Sequence, residues 1–250
     1  MTSPNLYCGT TGYSYPEWRG GVYPAQTRPE EMLNQYAGTF PAVEIDASFY
    51  RFPAQATLEE WVRRTPDTFR VALKVHRAIT YDRKPKDQAR MLADFVQRAR
   101  ILGSRMGPFL LAFPPYRSLD VSFMVQLLQG LPRDCMAACL FRHGSWYVPE
   151  AAATLYERGI TFCVNNGDDY PAATLDPKSP FAHLRLQAAE YSREDLQGWA
   201  KQLEPFLRAS KPVYVFFQHR ATAPANALIM MDLLGIKAPS LAHGQTARDA

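Results

Sequence analysis

The sequence contains no run of about 18 or more apolar residues of the kind that crosses a bilayer. Its opening, MTSPNLYCGTTG, has neither a basic patch nor a long apolar stretch, so a secretory leader is not expected. Cysteine is scarce: Cys8, Cys135, Cys139 and Cys163 lie in apolar runs without CxxC spacing, which fits small buried hydrophobes in a reducing cytoplasm. The net charge of +4 comes from dispersed Lys and Arg rather than a basic block, so nucleic acid is not the expected partner. HExxH, GxSxG, a Walker loop and metal-type His/Asp spacing are all missing, and neither a metal nor a cofactor is expected. Repeats, low-complexity tracts and Gly/Ser or charged linkers are absent too, which favours a single domain over residues 1–237. Residues 238–250 lose apolar periodicity and are expected to form a flexible tail, on a chain expected to be monomeric.

What is present is apolar and periodic. Hydrophobic residues make up 47% of the chain, enough for a sizeable core. Short apolar runs recur at Leu6 to Gly9, Ala42 to Asp46, Phe69 to Val75, Phe109 to Phe113, Met136 to Phe141, Ile160 to Val164, Ala182 to Leu186 and Val213 to Phe217. Several are apolar at every position, which suits strands covered on both faces in a parallel sheet. Helical patterns lie between them. Lys86 to Leu102 carries one apolar stripe and stops at Gly103, while Ser192 and Asp195 form a capping box ahead of Leu196, Trp199, Leu203 and Leu207. Shorter helices fit Pro29 to Ala37, Leu58 to Arg64, Asp120 to Gln129 and Pro149 to Glu157. Thr222 caps a last predicted helix with Leu228, Met231 and Leu234 turned inward. Asp168 to Ser179 is too rich in proline for a helix. Eight strands alternating with helices fit a TIM-type (β/α)8 barrel. The runner-up, an open doubly wound sheet, would show a GxGxxG turn after strand one, where this chain has Gly9-Thr10-Thr11-Gly12.

In a barrel the C-terminal strand ends form the working face. In VEIDASFYRFP, Glu44, Asp46 and Ser48 share one strand face while Val43 and Ile45 take the other. Strand three adds Lys74 and His76, strand five Arg142 and His143, strand six Asn165 and Asn166, strand seven Arg185 and Gln187, and strand eight Gln218. Glu44 and Asp46 against Lys74, Arg142 and Arg185 leave one positive charge in excess. The groups could be an ion-pair layer closing the barrel, or a pocket that receives an anionic or polyhydroxylated small molecule. The second reading casts Glu44 as general acid or base, with Asp46, Lys74 and His76 as further catalytic candidates and Arg142 and Arg185 as anion clamps. Tyr15, Trp18, Tyr50, Arg51 and Trp146 follow the same strands and could stack or contact a ligand ring. His76 could equally be a hydrogen-bonded wall residue, Asp168-Asp169 a solvated loop pair, and the aromatics packing. Thr222 marks a helix start where many barrels hold phosphate.

Five motifs in order, GTTGYSYPEWRGGVYP, VEIDASFYRFP, RTPDTFRVALKVHRAIT, FRHGSW, and YSREDLQGWA leading to VYVFF, resemble the domain-of-unknown-function 72 (DUF72, YecE-like) family from about Leu6 to Gly235. The resemblance implies a TIM barrel and supplies no reaction. It also exposes departures. Relatives commonly have E-F-R-H-P-S-W where this chain has Leu140-Phe141-Arg142-His143-Gly144-Ser145-Trp146, and R-L-H-G where it has Arg185-Leu186-Gln187-Ala188. They also have asparagines where it has Gln218-His219, and Asn where it has Asp46. Three functions therefore stand: an enzyme on a small anionic or sugar-like substrate, a catalytically degenerate ligand- or partner-binding barrel, and a nucleic-acid binder.

Overall fold

A computed structural model describes residues 5–82 and 86–236. Eight parallel strands close in sequence order: β1 (Leu6–Thr11), β2 (Ala42–Ile45), β3 (Arg70–Lys74), β4 (Met106–Phe113), β5 (Ala137–Phe141), β6 (Ile160–Asn165), β7 (Ala182–Leu186) and β8 (Val213–Phe217). Leu6 pairs with Val213 to complete the ring. The helices are α1 (Met32–Thr39), α2 (Gln55–Arg64), α3 (Arg77–Thr80), α4 (Gln88–Ala99), α5 (Val121–Leu128), α6 (Pro149–Tyr156), α7 (Arg193–Arg208) and α8 (Ala223–Leu233). This is a single-domain TIM-type barrel, with all eight predicted strands in place. The proposed tail, 238–250, lies outside the described residues.

Strand alternation sorts the side chains into two apolar layers. Outward-facing residues such as Val43, Val71, Leu111, Cys139, Val164, Leu184 and Val215 pack under the helices. Inward-facing Tyr7, Ala42, Ala72, Leu110, Ala112, Ala138, Leu140, Cys163, Tyr214 and Phe216 fill the barrel. At its N-terminal end Tyr7 stacks on Tyr214 at 4.8 Å, so that end of the interior is a packed plug.

The helices follow their local signals. Ser192 and Asp195 make the reciprocal capping box of α7, which continues through Pro205. Helix α4 ends at Ala99, three residues before the expected Leu102, and the last turn tightens into a 3-10 stretch (Arg100–Arg105) broken at Gly103, whose φ of 56° favours glycine. Helix α8 departs from expectation. It buries Ala223, Pro224, Asn226, Ala227, Met230 and Met231, leaving Leu228 exposed. Its sequence APANALIMMDL is apolar on nearly every side, so periodicity could not fix the buried face. Thr222 does not cap it, because its hydroxyl donates to Ala189 O at 2.6 Å. No helix occurs among 166–181, in keeping with the prolines there.

Gly9 fixes how closely β1 approaches β2. It pairs with Ala42, and the Tyr36 hydroxyl enters beside it to bond Thr10 N at 2.8 Å and Ala42 O at 3.0 Å. A Cβ on Gly9 would lie 1.9 Å from Ala42 O and 2.8 Å from the Tyr36 hydroxyl. Gly9→Ala should therefore lower unfolding stability by about 1–3 kcal/mol or more. Gly198, inside α7 with nothing within 4 Å, provides the contrast. Gly198→Ala should raise stability by about 0.5–1 kcal/mol. Urea unfolding of the two variants should give midpoints on opposite sides of the wild-type value; midpoints that move together would refute this account of β1.

Candidate functional site

The inward face of β2 carries Glu44 and, one step beyond the strand, Asp46, because a strand repeats every two residues. On the inward face of β7 the same rule places His183 below Arg185. Across the barrel these faces meet. Arg185 Nε donates to Glu44 Oε1 at 2.7 Å, and Nη2 donates to Asp46 Oδ1 at 3.0 Å. Lys74 Nζ lies 3.3 Å from the same Asp46 oxygen, and Thr11 Oγ1 donates to Glu44 Oε1 at 3.4 Å. Burial decreases along the chain of contacts: Glu44 and Arg185 are buried, whereas the Lys74 and Asp46 side chains are 15% and 33% exposed.

Environment separates the two carboxyls. Burial pushes the Glu44 pKa up, and Arg185 only partly offsets it. Burial also pushes on Asp46, but Arg185 and Lys74 together hold it below the usual carboxylate range. Burial would lower the Arg185 pKa, yet the two carboxylates reverse this and keep the guanidinium charged. His183 Nε2 lies 3.5 Å from Glu44 Oε2, and burial followed by Arg185 drives its pKa from 6.5 to about 3, so it is neutral at pH 7.

The sequence-derived candidates separate by location. Glu44, Asp46, Lys74 and Arg185 converge. Arg142 stands across the mouth, where Nη2 donates to Asp169 Oδ2 at 2.9 Å and the guanidinium lies 5.5 Å from the Tyr170 ring centre. Asp169 cancels the excess positive charge inferred from sequence, leaving three carboxylates against three cations. His76 caps α3 by accepting from Ala78 N, and its Nε2 lies 3.2 Å from Tyr50 O, so it holds the wall. His143 plays the same part for the turn at Gly144–Trp146, accepting from Ser145 N.

The tryptophans sit away from the open mouth. Trp18 is buried with Nε1 donating to Arg220 O, and Trp146 is buried against Phe141 with Nε1 donating to Arg117 O. With their indole N–H groups satisfied by backbone, both brace loops. Tyr15 donates to Thr11 O beneath the Arg220 guanidinium. Tyr50 is 68% exposed beside Phe49, whose ring lies 4.6 Å from Lys74 Nζ. Arg51 lines a cavity of about 330 Å3 beside β2 with Phe52 and Trp61. Gln187 packs its side chain against Gly167, and Gln218 Oε1 is buried without a donor among the described residues.

The sequence candidates omit His183, Tyr81 and Tyr170 and take Asp169 as part of a solvated loop pair; its side chain is 76% exposed, yet it also pairs with Arg142. His183 was detectable, lying two residues before Arg185 on the same face. Tyr81 meets the Phe49 ring edge-on, and burial raises its hydroxyl pKa while a hydrogen bond from Arg142 opposes that. Among the described residues no three His, Cys, Asp or Glu side chains converge as a metal site would require.

The sequence matches the family described as "Protein of unknown function DUF72" over residues 7–249. It is 25% identical to UPF0759 protein YunF of Bacillus subtilis, covering 96% of this chain and 98% of that one. It is 23% identical to UPF0759 protein YecE of Escherichia coli K12, covering 90% of each. A DUF72 family crystal structure from Thermotoga maritima aligns with a TM-score of 0.75 at 26% identity, over 92% of this chain and 99% of that one. One from Enterococcus faecalis gives 0.76 at 20% identity, over 94% and 97%.

The buried histidine sets a pH dependence. Its folded pKa is depressed, so the unfolded chain binds one more proton between pH 6.5 and about 3. Stability is therefore fully present above 6.5 and declines by up to about 1.4 kcal/mol per pH unit below it. The depressed Asp46 also loses stability as pH falls through its folded pKa, whereas Glu44, raised, contributes stability at low pH that is lost on going up. His183→Gln should flatten the leg just below pH 6.5, as read by urea unfolding at stepped pH. An unchanged slope would show that His183 titrates normally in the fold.

Proposed function

The chain belongs to the DUF72 family, and we propose that it is an enzyme performing acid–base chemistry on a small anionic or polyhydroxylated molecule at the C-terminal mouth of its barrel. One observation carries this reading: two carboxyls share one buried guanidinium, and their surroundings drive their pKa values in opposite directions. Such a separation in a barrel mouth marks a candidate functional site and leaves the outer carboxyl as its ionised member. Asp46 is the member that reaches solvent, so it takes the role of base, ionised and oriented by Arg185. Lys74 beside it stabilises negative charge that develops on the substrate. Glu44 lies beneath Arg185 and positions it, since a guanidinium does not relay protons at neutral pH. Phe49, Tyr50, Tyr81 and Tyr170 supply ring faces around the charged floor.

A ligand-binding barrel without turnover is the second reading. Leu140 favours it, being buried in the apolar plug on the strand face that leads to Arg142. The two readings separate on Asp46. In a library of sugar acids, phosphosugars and small carboxylates followed by proton NMR, the wild type should transform at least one compound. Asp46→Asn should slow that transformation by about 10²–10⁴-fold while the compound still binds. Equal rates in wild type and variant would remove Asp46 as the base; saturable binding with no transformation by the wild type would select the second reading.

A further inference from the structure

The proposed chemistry occupies the β2, β3 and β7 side of the mouth and leaves the β5–β6 side unexplained. The β5–β6 pairing ends at Cys139–Phe162, and three residues further along each chain stand Arg142, just past the end of β5, and Asn165, the last residue of β6. Both continue the inward series of Leu140 and Cys163. Asn165 is 5% exposed, and its Oδ1 accepts from Gly167 N at 2.8 Å, which fixes the amide and turns Nδ2 away from that turn. Nδ2 is buried with no partner among the described residues, and so is Arg142 Nε. Two buried donors without acceptors, at the same end of adjacent strands, are costly unless an acceptor reaches them. Arg185, opposite Asn165 on β7, is committed to Glu44 and Asp46 and does not compete.

Arg142 also donates to the Tyr81 hydroxyl, but its charged acceptor is unusual in its exposure. Asp169 touches Nη2 from a side chain that is 76% exposed, on a segment without helix or strand. An ion pair of that kind contributes about 0–1 kcal/mol and is readily exchanged. A guanidinium offers five N–H donors. With Asp169 on Nη2 and the Tyr81 hydroxyl on another, Nε stays unpartnered among the described residues, and a bidentate oxyanion could use it together with the Nη2 that Asp169 now holds.

We propose that Arg142 and Asn165 form an oxyanion subsite, that the Asp169 carboxylate is its exchangeable internal partner, and that the carboxylate or phosphoryl oxygens of a ligand displace Asp169. The proposal rests on the mouth being the ligand site and adds to that reading which group of the ligand binds where. Asp169 shows the chemistry the subsite accepts, and Asn165 becomes a specificity-determining residue. Neither Asp46 nor Lys74 is needed to hold the anion.

Isothermal titration calorimetry at constant ionic strength, with inorganic phosphate and malonate as separate probes, tests this. Asp169→Asn removes the internal competitor from an exposed position and should tighten binding of at least one probe about two- to fivefold. Asn165→Asp keeps the acceptor for Gly167 N but replaces the donor with a carboxylate, and should weaken binding about tenfold or more; a melting curve verifies its fold. The probe that gains more from Asp169→Asn distinguishes a phosphoryl from a carboxylate ligand. No heat with either probe in wild type and Asp169→Asn, or affinities unchanged in both variants, overturns the proposal. Binding lost in Lys74→Met but retained in Asn165→Asp would place the anion at Lys74, refuting the subsite and leaving the acid–base reading intact. Loss of turnover chemistry at Asp46 with the probe affinities as expected would do the reverse.

Discussion

A guanidinium buried in the middle of a barrel is the constraint on which the mouth depends. Moving Arg185 out of water costs several kcal/mol, recovered only if its donors meet acceptors in good geometry. The fold meets that demand from one strand, with Glu44 below and Asp46 above, so the side chain spans the barrel from β7 to β2. The positions of the two carboxyls are thereby linked. Glu44 needs Arg185 to remain ionised while buried, and Arg185 needs Asp46 to complete its pairing. The backbone beneath is held as tightly, since Gly9 allows β1 and β2 to approach with the Tyr36 hydroxyl between them.

The pairing of Arg185 changes what the mouth can offer a ligand. Arg185 gives Nε and Nη2 to the two carboxyls, and recognition extends outward to Lys74, Arg142 and the tyrosines. It also changes the electrostatic argument. Counted from sequence, the site has one cation too many; in the structure Asp169 supplies the missing carboxylate from an exposed loop. Pairing of that kind is weak and conditional, so the mouth is neutral when closed on itself and electropositive once Asp169 is displaced. The excess of positive charge belongs to one residue, Arg142, rather than to the pocket as a whole.

The strands were legible because FLLAF, MAACLF and VYVFF leave no polar face for solvent, and their two-residue period placed Glu44, Asp46, Lys74 and Arg185 together inside. The same period carries His183, but a histidine inside an apolar strand gives no sign of its neighbour until β7 is set opposite β2. Helix α8 failed where periodicity carries no information, because an element apolar on nearly all sides can bury any face. Trp18 and Trp146 follow the right strands, yet a large ring with one donor is as well suited to bracing a loop as to binding a ligand. Asp169 was illegible for a different reason: a segment without period offers no rule for direction.

That segment joins the mouth to the outer face of β6. Elsewhere a helix separates consecutive strands; between β6 and β7 there is none, and residues 166–181 lie over the barrel side instead. The cover lost from β6 is partly replaced by Tyr147 and Tyr156 around Phe162, beside a cavity of about 590 Å3. What the irregular path makes possible appears at its start. Asn165 holds Gly167 N, Asn166 holds Gln187 N and Tyr191, and Tyr170 N returns to Gly167 O, so the first turn is tied to β6 and β7 before the chain leaves the mouth. A helix starting at that point would carry its side chains around a cylinder and turn most of them away from the mouth. A tied turn instead brings Asp169 and Tyr170 together onto Arg142. The missing helix and the occupied guanidinium thus meet in one turn, which Asn165 ties to β6 while the prolines beyond it keep the segment from winding into a helix.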